Sequence, residues 1–255
     1  MSEKANHPVR TTAKTLAIVE ELDETGGARI HELTSRLDMS KSGIHNHLST
    51  LREHGYVLKE GNEYRLSLQF LSIGGSLRSR IPIYRFGRTK VAQLADDTGL
   101  LANLLIEEGG RGVYLYQSRG NYAVNLDTHV GYRIRLHNIG IGKAILAHLH
   151  EERVDEIVET WGLPEATENT ITDPDALKEE LAAIRERGYA TDYEERTRGL
   201  TCIGAPVLLD DEVLGAISIS APTKRFGKEG FDEELIAEVE STAHELALDI
   251  KYSSP

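Results

Sequence analysis

Residues 40–57 read SKSGIHNHLSTLREHGYV, and the pattern of this stretch indicates how the N-terminal part of the chain folds. Its apolar side chains recur at i, i+4 and i+7, at Ile44, Leu48 and Leu51. That spacing places them on one face of an α-helix. Ser40 suits the N-cap position, and Gly55 suits the residue that follows the last turn. The stretch therefore predicts one amphipathic helix with a polar outer face.

The residues on either side complete a small domain. Upstream, Leu16, Val19 and Leu22 predict a first helix that ends at Gly26-Gly27, and Ile30, Leu33 and Leu37 predict a short second helix. Downstream, residues 56–59 and 64–66 predict two strands around Gly61-Asn62. Three helices followed by a hairpin predict a winged helix-turn-helix.

The outer face of the third predicted helix carries candidate DNA contacts. They are Lys41, Ser42, His45, Asn46 and Ser49, with Lys59 and Arg65 on the predicted wing. Asn can form two hydrogen bonds with adenine, and Lys and Ser suit phosphate near a helix N-terminus. We therefore expect this face to contact double-stranded DNA. Helices that only pack together can show the same pattern, so the pattern alone leaves that alternative open.

The charge of the chain is unevenly distributed. The 255 residues hold 29 Lys plus Arg against 41 Asp plus Glu, a net charge of −12. Residues 1–66 hold nine basic and ten acidic side chains, so almost all of the excess lies beyond them. An acidic surface repels nucleic acid, and we therefore expect DNA contacts only within the first 66 residues.

Composition also excludes several classes of protein. No run approaches the ~18 apolar residues of a membrane-spanning helix, and the first ten residues are polar. We expect a cytoplasmic protein with no membrane partner. The single cysteine, Cys202, cannot form an internal disulfide.

The rest of the chain predicts a larger α+β domain. Residues 66–80 contain Gly74-Gly75-Ser76 and suit a hinge or a bent connecting helix, so we expect DNA-binding residues 1–66, linker residues 67–80 and effector-binding residues 81–255. Helices are predicted at 82–98, 141–150, from Pro174 to Gly188, and at 231–250, and strands at 100–107, 112–118, 132–136, 189–192, 201–209 and 213–221. Antiparallel hairpins with helices mainly at the ends indicate a sensor-like domain.

Alternation along the last predicted strand indicates a ligand pocket. Ser218 and Ser220 share a face among small residues, Cys202 could line the same cavity from the partner strand, and Asp192 lies at the end of an earlier strand. Two adjacent hydroxyls suit a small polar ligand. The alternative is that both serines face water.

The sequence contains no complete motif for catalysis or cofactor binding. Gly142-Lys143 has His137 and Ala144 where a phosphate-binding loop needs Gly and Ser or Thr. His148 and His150 lie two residues apart, which does not suit a helical metal site, and are expected to be exposed. We therefore expect no catalytic residue, no metal and no cofactor.

Taken together, the chain resembles the IclR family of transcriptional regulators. The motifs that carry the resemblance are KSGIHNHLSTLREHGYV (41–57), IGIGKAILA (139–147), TITDPDALKEELAAIRERGYATDYEE (170–195) and GLTCIGAPVLLDDEVLGAISISAPTKR (199–225). The resemblance spans residues 12–250. It implies a winged helix-turn-helix joined by a linker helix to a GAF-like antiparallel-sheet effector domain, in a homodimer or a dimer of dimers.

The resemblance also extends the pocket. Family pocket positions match Leu126, Ile134, Gly140, Ile141, Asp192, Leu200, Cys202, Ser218 and Ser220. The implied ligands are small carboxylates and aromatic or sugar acids. The chain departs from the family pattern at Gly43, where Thr is usual, at Asn46, where Arg is frequent, and at the larger Ile141. The operator sequence therefore does not transfer.

Two other interpretations stay open. The chain could be a sensory module that contacts proteins and not DNA. It could also be an enzyme in which Asp192 and Cys202 act on a small acid, although no activating histidine stands at a recognisable spacing.

Overall fold

The computed structural model describes residues 7–225 and 232–253. The chain divides between Arg78 and Ser79 into two compact units, each described here by itself. Within the described ranges, no helix is both long enough and apolar enough to cross a membrane.

The N-terminal unit is a three-helix domain with a small antiparallel sheet and a further helix. Its elements are α1 (Arg10–Thr25), β1 (Ala28–Arg29), α2 (Ile30–Arg36), α3 (Lys41–Glu53), β2 (Val57–Glu60), β3 (Glu63–Leu66) and α4 (Gln69–Ser79). The sheet order is β1-β3-β2. These elements confirm the predicted winged helix-turn-helix.

Local signals set the ends of these helices. Gly26 ends α1 in the left-handed conformation, with φ of 71°. Ser40 caps α3 by accepting a hydrogen bond from the Gly43 amide at 3.1 Å. Ile44 and Leu48 of α3 are buried in one apolar cluster with Ile18 of α1 and Leu33 of α2.

The sequence did not predict strand β1. Its residues Ala28 and Arg29 pair with Tyr64 and Glu63 of β3, which widens the predicted hairpin to three strands. A two-residue strand has too few positions to show an alternating pattern, and its pairing depends on a long-range contact.

Helix α4 runs without interruption through Gly74-Gly75. No residue of this helix is buried in the described part of the chain. Its large apolar side chains Leu71, Ile73 and Leu77 are all exposed. The hinge or bent helix expected at residues 66–80 is therefore a helix from Gln69 to Ser79.

The C-terminal unit contains a six-stranded antiparallel sheet flanked by helices. Its elements are α5 (Pro82–Thr98), β4 (Leu101–Glu108), β5 (Arg111–Arg119), β6 (Arg133–Ile134), α6 (Gly140–Leu146), α7 (Glu151–Trp161), α8 (Pro174–Arg187), β7 (Ala190–Tyr193), β8 (Leu200–Leu209), β9 (Glu212–Pro222) and α9 (Glu233–Ser253). The strand order is β6-β5-β4-β9-β8-β7. This architecture confirms the predicted α+β class.

Two apolar clusters lie on opposite faces of this sheet. Ile217 and Ile219 of β9 pack with α5 and α9, whereas Ala216 packs with α6, α7 and α8. Successive residues of a strand point to opposite faces, so both faces of the central strands are covered. Side chains at the centre of the sheet are therefore shielded from water.

Several expected elements differ from the structure. The helix expected at 141–150 ends at Leu146, and the chain then forms α7, which the sequence analysis did not include. The strand expected at 132–136 is only Arg133–Ile134. Phe231, where the closing helix was expected to begin, lies outside the described residues. His150 is exposed, but His148 is half-buried and its ring Nδ1 lies 3.0 Å from the Ala144 carbonyl oxygen.

Candidate functional site: a closed polar cavity and a recognition helix

The central strands bring the predicted pocket residues to one level of the sheet. Asp192 of β7 lies opposite Cys202 of β8, and Cys202 lies opposite Ser220 of β9. On the other side of β9, strand β4 places Asn103 opposite Ser218. The four strands therefore align a carboxyl, a thiol, two hydroxyls and an amide across neighbouring positions.

Hydrogen bonds link these groups into a network. The Asn103 side-chain amide donates to Ser218 Oγ at 3.2 Å, and Cys202 Sγ donates to Ser220 Oγ at 3.1 Å. Gln117 Nε2 donates to Asn103 Oδ1 at 2.9 Å, which fixes the orientation of the amide. Because both serine oxygens accept in these bonds, each hydroxyl hydrogen can be donated to a ligand.

Burial controls the ionisation of the cavity. Asp192 is 1% exposed, and burial, reinforced by the nearby Glu195 carboxylate, raises the pKa of Asp192 to about 7. The Glu195 amide donates to Asp192 Oδ1 at 2.7 Å. Burial also raises the pKa of the Cys202 thiol. A thiol held in its neutral form is a poor nucleophile, which argues against a catalytic role for Cys202.

Helix α6 closes the cavity because glycine allows close contact with β8. A Cβ atom on Gly204 of β8 would lie 2.7 Å from Cα of Ile141. Gly140 is similarly close, since its Cβ would lie 3.3 Å from the Cys202 carbonyl oxygen. The first residues of α6 therefore form one wall.

A buried ion pair ties α6 to the segment after β7. The Lys143 ammonium lies 2.5 Å from Glu195 Oε1 and 3.4 Å from Glu180 Oε1, and Lys143 is 2% exposed. Burial raises the pKa of Glu195, although the charge of Lys143 opposes this rise. Removing one partner of such a pair leaves a buried charge without compensation. Lys143, which does not belong to a phosphate-binding loop, thus holds α6 to the segment that follows β7.

The cavity gathers eight of the nine candidate effector residues. They are Leu126, Gly140, Ile141, Asp192, Leu200, Cys202, Ser218 and Ser220. Ile134 is not among them, because it belongs to β6 at the edge of the sheet and is buried with Leu136 and Ile157. The serines are 1% and 3% exposed, so they do not face water.

Four residues that were not predicted from the sequence also line the cavity: Asn103, Tyr114, Ile139 and Arg196. Asn103 is a polar residue within an apolar strand, which is a detectable signal. Arg196 lies in the loop after β7, where no periodic pattern indicates which way a side chain points. The cavity measures about 20 Å³, which is space for roughly one water molecule.

The candidate DNA contacts are exposed side chains of the N-terminal unit. Lys41, Ser42, His45, Asn46 and Ser49 of α3 are all exposed, as are Lys59 of β2 and Arg65 of β3. In the wing, Lys59 Nζ lies 5.3 Å from the centre of the Tyr64 ring, and Arg65 pairs with Glu60. His47 differs from its neighbours, because its ring Nδ1 lies 2.8 Å from the hydroxyl of Thr15.

Among the residues that the structure describes, no group of His, Cys, Asp and Glu is arranged to hold a metal ion.

A winged helix-turn-helix and an α+β unit with a closed polar cavity define the class of DNA-binding transcriptional regulators that carry a sensing domain in the same chain. Two family models match the chain. The IclR helix-turn-helix domain matches residues 11–61, and the C-terminal domain of the bacterial transcriptional regulator IclR matches residues 76–248. The chain belongs to the IclR family of transcriptional regulators.

Individual relatives agree with this assignment. The chain is 35% identical to a probable HTH-type transcriptional regulator ArcR of Halobacterium salinarum, over 95% of each chain. It is 30% identical to the HTH-type transcriptional regulator KdgR of Escherichia coli, over 98% of this chain and 96% of the relative. The crystal structure of Thermotoga maritima IclR superposes with a TM-score of 0.77 at 28% identity, covering 95% and 98% of the two chains. These relatives are regulators and not enzymes.

Proposed function

We propose that this regulator binds a double-stranded operator through α3 and the wing, and that a small carboxylate in the closed cavity changes operator affinity. The observation that carries the effector proposal is the pair of buried hydroxyls at Ser218 and Ser220 beside Asp192, whose carboxyl pKa is raised by burial to about 7 and which is therefore partly protonated at neutral pH. All three groups can donate hydrogen bonds, and an ionised carboxylate accepts them.

The exposed face of α3 supports the operator proposal. Asn46 can form two hydrogen bonds with adenine in the major groove, and His45 and Ser49 lie on the same face. Lys41 and Ser42 lie in the first turn of α3, where phosphate binding is favoured. Lys59 and Arg65 would contact the DNA backbone from the wing.

The volume of the cavity supports a conformational mechanism. Because about 20 Å³ cannot hold a carboxylic acid, binding requires its wall to move. A ligand that binds an expanded state more tightly shifts the population toward that state. We propose that residues 67–80 transmit this shift from effector-binding residues 81–255 to DNA-binding residues 1–66.

Exposed apolar side chains support a homo-oligomer. Leu71 of α4 is 68% exposed, and Leu77 is 63% exposed. Large apolar side chains exposed in this way are available for protein contacts, and paired helix-turn-helix domains bind the two halves of a pseudo-palindromic operator. We propose a homodimer, or a dimer of dimers, acting on DNA in the cytoplasm without a membrane partner.

The test is a gel-shift titration of the full chain on DNA from the region upstream of its own gene. We expect a complex that survives excess nonspecific DNA, and one member of a panel of small aliphatic, aromatic and sugar acids that weakens or strengthens it. Absence of a specific complex at every salt concentration, with a folded protein, would favour the protein-interaction module.

A further inference from the structure

A groove on the surface of the C-terminal unit has a composition that contrasts with the charge of the chain. It measures about 360 Å³, and four arginines line it: Arg111, Arg133, Arg135 and Arg196. Residues 67–255 carry a net charge of −11, so such a concentration of guanidinium groups stands out. Arg196 lines both this groove and the closed cavity.

Two of the four guanidinium groups are held in place by neutral acceptors. Arg111 Nη2 donates to the Arg133 carbonyl at 2.7 Å, and Arg135 donates to the carbonyl of Trp161. Carbonyl acceptors orient a guanidinium without neutralising its charge. These arginines are therefore arranged before any ligand binds.

Few carboxylates balance this charge. Arg133 pairs with Glu108 at 2.5 Å, and Arg196 Nη2 lies 2.8 Å and 3.0 Å from the two oxygens of Asp127. Among the described ion pairs, the four arginines thus have two acidic partners. Burial, together with the charges of Arg135 and Arg133, lowers the pKa of Arg111, as expected where positive groups repel one another.

Two buried polar atoms of the groove residues lack partners among the described residues. One is Nε of Arg111, a hydrogen-bond donor. The other is Oδ1 of Asn138, an acceptor in a residue that is 6% exposed. Buried polar groups are normally paired, so such atoms indicate a missing partner. The donor suits an anionic oxygen, and the acceptor suits a hydroxyl.

We infer that this arginine-lined groove binds the phosphate ester of a small hydroxylated metabolite. A phosphate monoester carries a charge of about −1.5 to −2 at neutral pH, which matches the excess of two positive charges. Arg binds phosphate through parallel hydrogen bonds. In the absence of ligand, the Asp127 carboxylate occupies Arg196, and the ligand phosphate replaces it.

This site does not depend on the proposed carboxylate effector, and its test involves no DNA. The experiment is calorimetric titration of the full chain with glycerol 3-phosphate at constant ionic strength, with glycerol as the uncharged reference. We expect binding of glycerol 3-phosphate and none of glycerol. Absence of heat with glycerol 3-phosphate at millimolar concentrations would overturn the inference.

Three variants separate a built site from general attraction. Arg196→Gln should weaken binding at least about tenfold, because a charged hydrogen bond is lost. Asp127→Asn should strengthen binding, because a competing carboxylate is removed. Arg198→Gln is the matched control, since Arg198 lies two residues away with an exposed side chain paired to Glu168, and its affinity should stay within about twofold of the parent.

Equal weakening by Arg196→Gln and Arg198→Gln would show nonspecific attraction and contradict the site. If Asp127→Asn binds glycerol 3-phosphate more weakly than the parent, the ligand phosphate does not replace the Asp127 carboxylate at Arg196. Circular dichroism of each variant verifies that the fold is retained, and a misfolded Arg196→Gln is replaced by Arg196→Lys, which keeps the charge but cannot bind phosphate through two parallel hydrogen bonds.

Discussion

At the scale of single residues, Asp192 has the clearest dependence on pH. Its pKa is about 7 in the folded protein and 3.8 ordinarily, so the folded state retains a proton that the unfolded chain releases. Because the folded state binds more protons between these values, its stability falls as pH rises from about 4 to 7. Above pH 7 the buried carboxylate is ionised in both states, and the loss is complete.

Asp192→Asn should reduce this pH dependence. Asparagine keeps an oxygen that can accept from the Glu195 amide, and it has no charge to bury. We expect the variant to be more stable than the parent above pH 7, with a gain that shrinks toward pH 5 at about 1.4 kcal/mol per pH unit. Urea unfolding at pH 5, 6, 7 and 8 measures this. A variant less stable than its parent at pH 8 would contradict the raised pKa of Asp192.

The same carboxyl should make effector binding depend on pH. Protonated Asp192 can donate to a ligand carboxylate, whereas ionised Asp192 repels it. The affinity of the protein for the effector carboxylate identified in the gel-shift titration should therefore fall as pH rises through about 7, the pKa of Asp192. Asp192→Asn should give a nearly constant affinity from pH 6 to 8. Titration calorimetry tests this, and an identical pH profile in both proteins would exclude contact between Asp192 and the ligand.

At the scale of elements, close packing of α6 on β8 depends on Gly204. In Gly204→Ala the added methyl would meet backbone atoms of Ile141 at 2.7 Å, and backbone cannot move aside as a side chain can. We expect a loss of about 3 kcal/mol or more in the free energy of unfolding. Gly74→Ala in α4 is the matched control, because its methyl meets nothing within 4 Å and should stabilise the helix by up to about 1 kcal/mol. Similar effects of both substitutions would show that α6 does not touch β8 closely.

The recognition helix can be tested without changing its packing. Lys41 and Asn46 are exposed on α3, so Lys41→Ala with Asn46→Ala should leave thermal unfolding nearly unchanged. Loss of the adenine contact should cost about 1 to 3 kcal/mol of operator binding, and loss of one phosphate contact should lower the salt dependence by about one unit. Lys14→Ala on exposed α1 removes the same charge elsewhere and is the control. Fluorescence anisotropy with labelled operator measures each protein, and equal operator affinity of the double variant and its parent would exclude α3 from the interface.

Elements with strong periodicity were predictable from the sequence, and short ones were not. The stripe of Ile44, Leu48 and Leu51 fixed α3 because a long amphipathic pattern leaves little ambiguity. Helix α7 is not among the predicted elements, although Val154 and Ile157 are buried at helical spacing. The helix predicted before it ends at His150, directly before α7 begins. Strands β1 and β6 have two residues each and depend on tertiary pairing.

The candidate site was predictable where it depended on one strand. Alternation placed Ser218 and Ser220 on one face, and a polar face within an apolar strand indicated a cavity. Asn103 and Arg196 required the register between strands and the path of a loop, which no local pattern specifies. Ile134 was predicted to line the cavity but is buried in an apolar cluster. The sequence does not distinguish an apolar residue that lines a pocket from one that fills a core.

At the scale of the whole molecule, charge separates the two proposed activities. Residues 1–66 are nearly neutral and carry the candidate DNA contacts, whereas the remaining residues carry the acidity. Repulsion between the acidic effector domain and phosphate would limit nonspecific binding by that domain.

The cavity ligand and the operator should influence one another's binding. Thermodynamic linkage requires that a carboxylate which changes operator affinity by some factor has its own affinity changed by the operator by the same factor. The decisive measurement is the affinity of that carboxylate for the full chain, alone and saturated with operator. For the parent, we predict that the carboxylate changes operator affinity by the same factor as the operator changes carboxylate affinity. In the variant Ser218→Ala with Ser220→Ala, both factors should approach one. Factors for the Ser218→Ala with Ser220→Ala variant as large as those of the parent would show that the cavity does not carry this coupling.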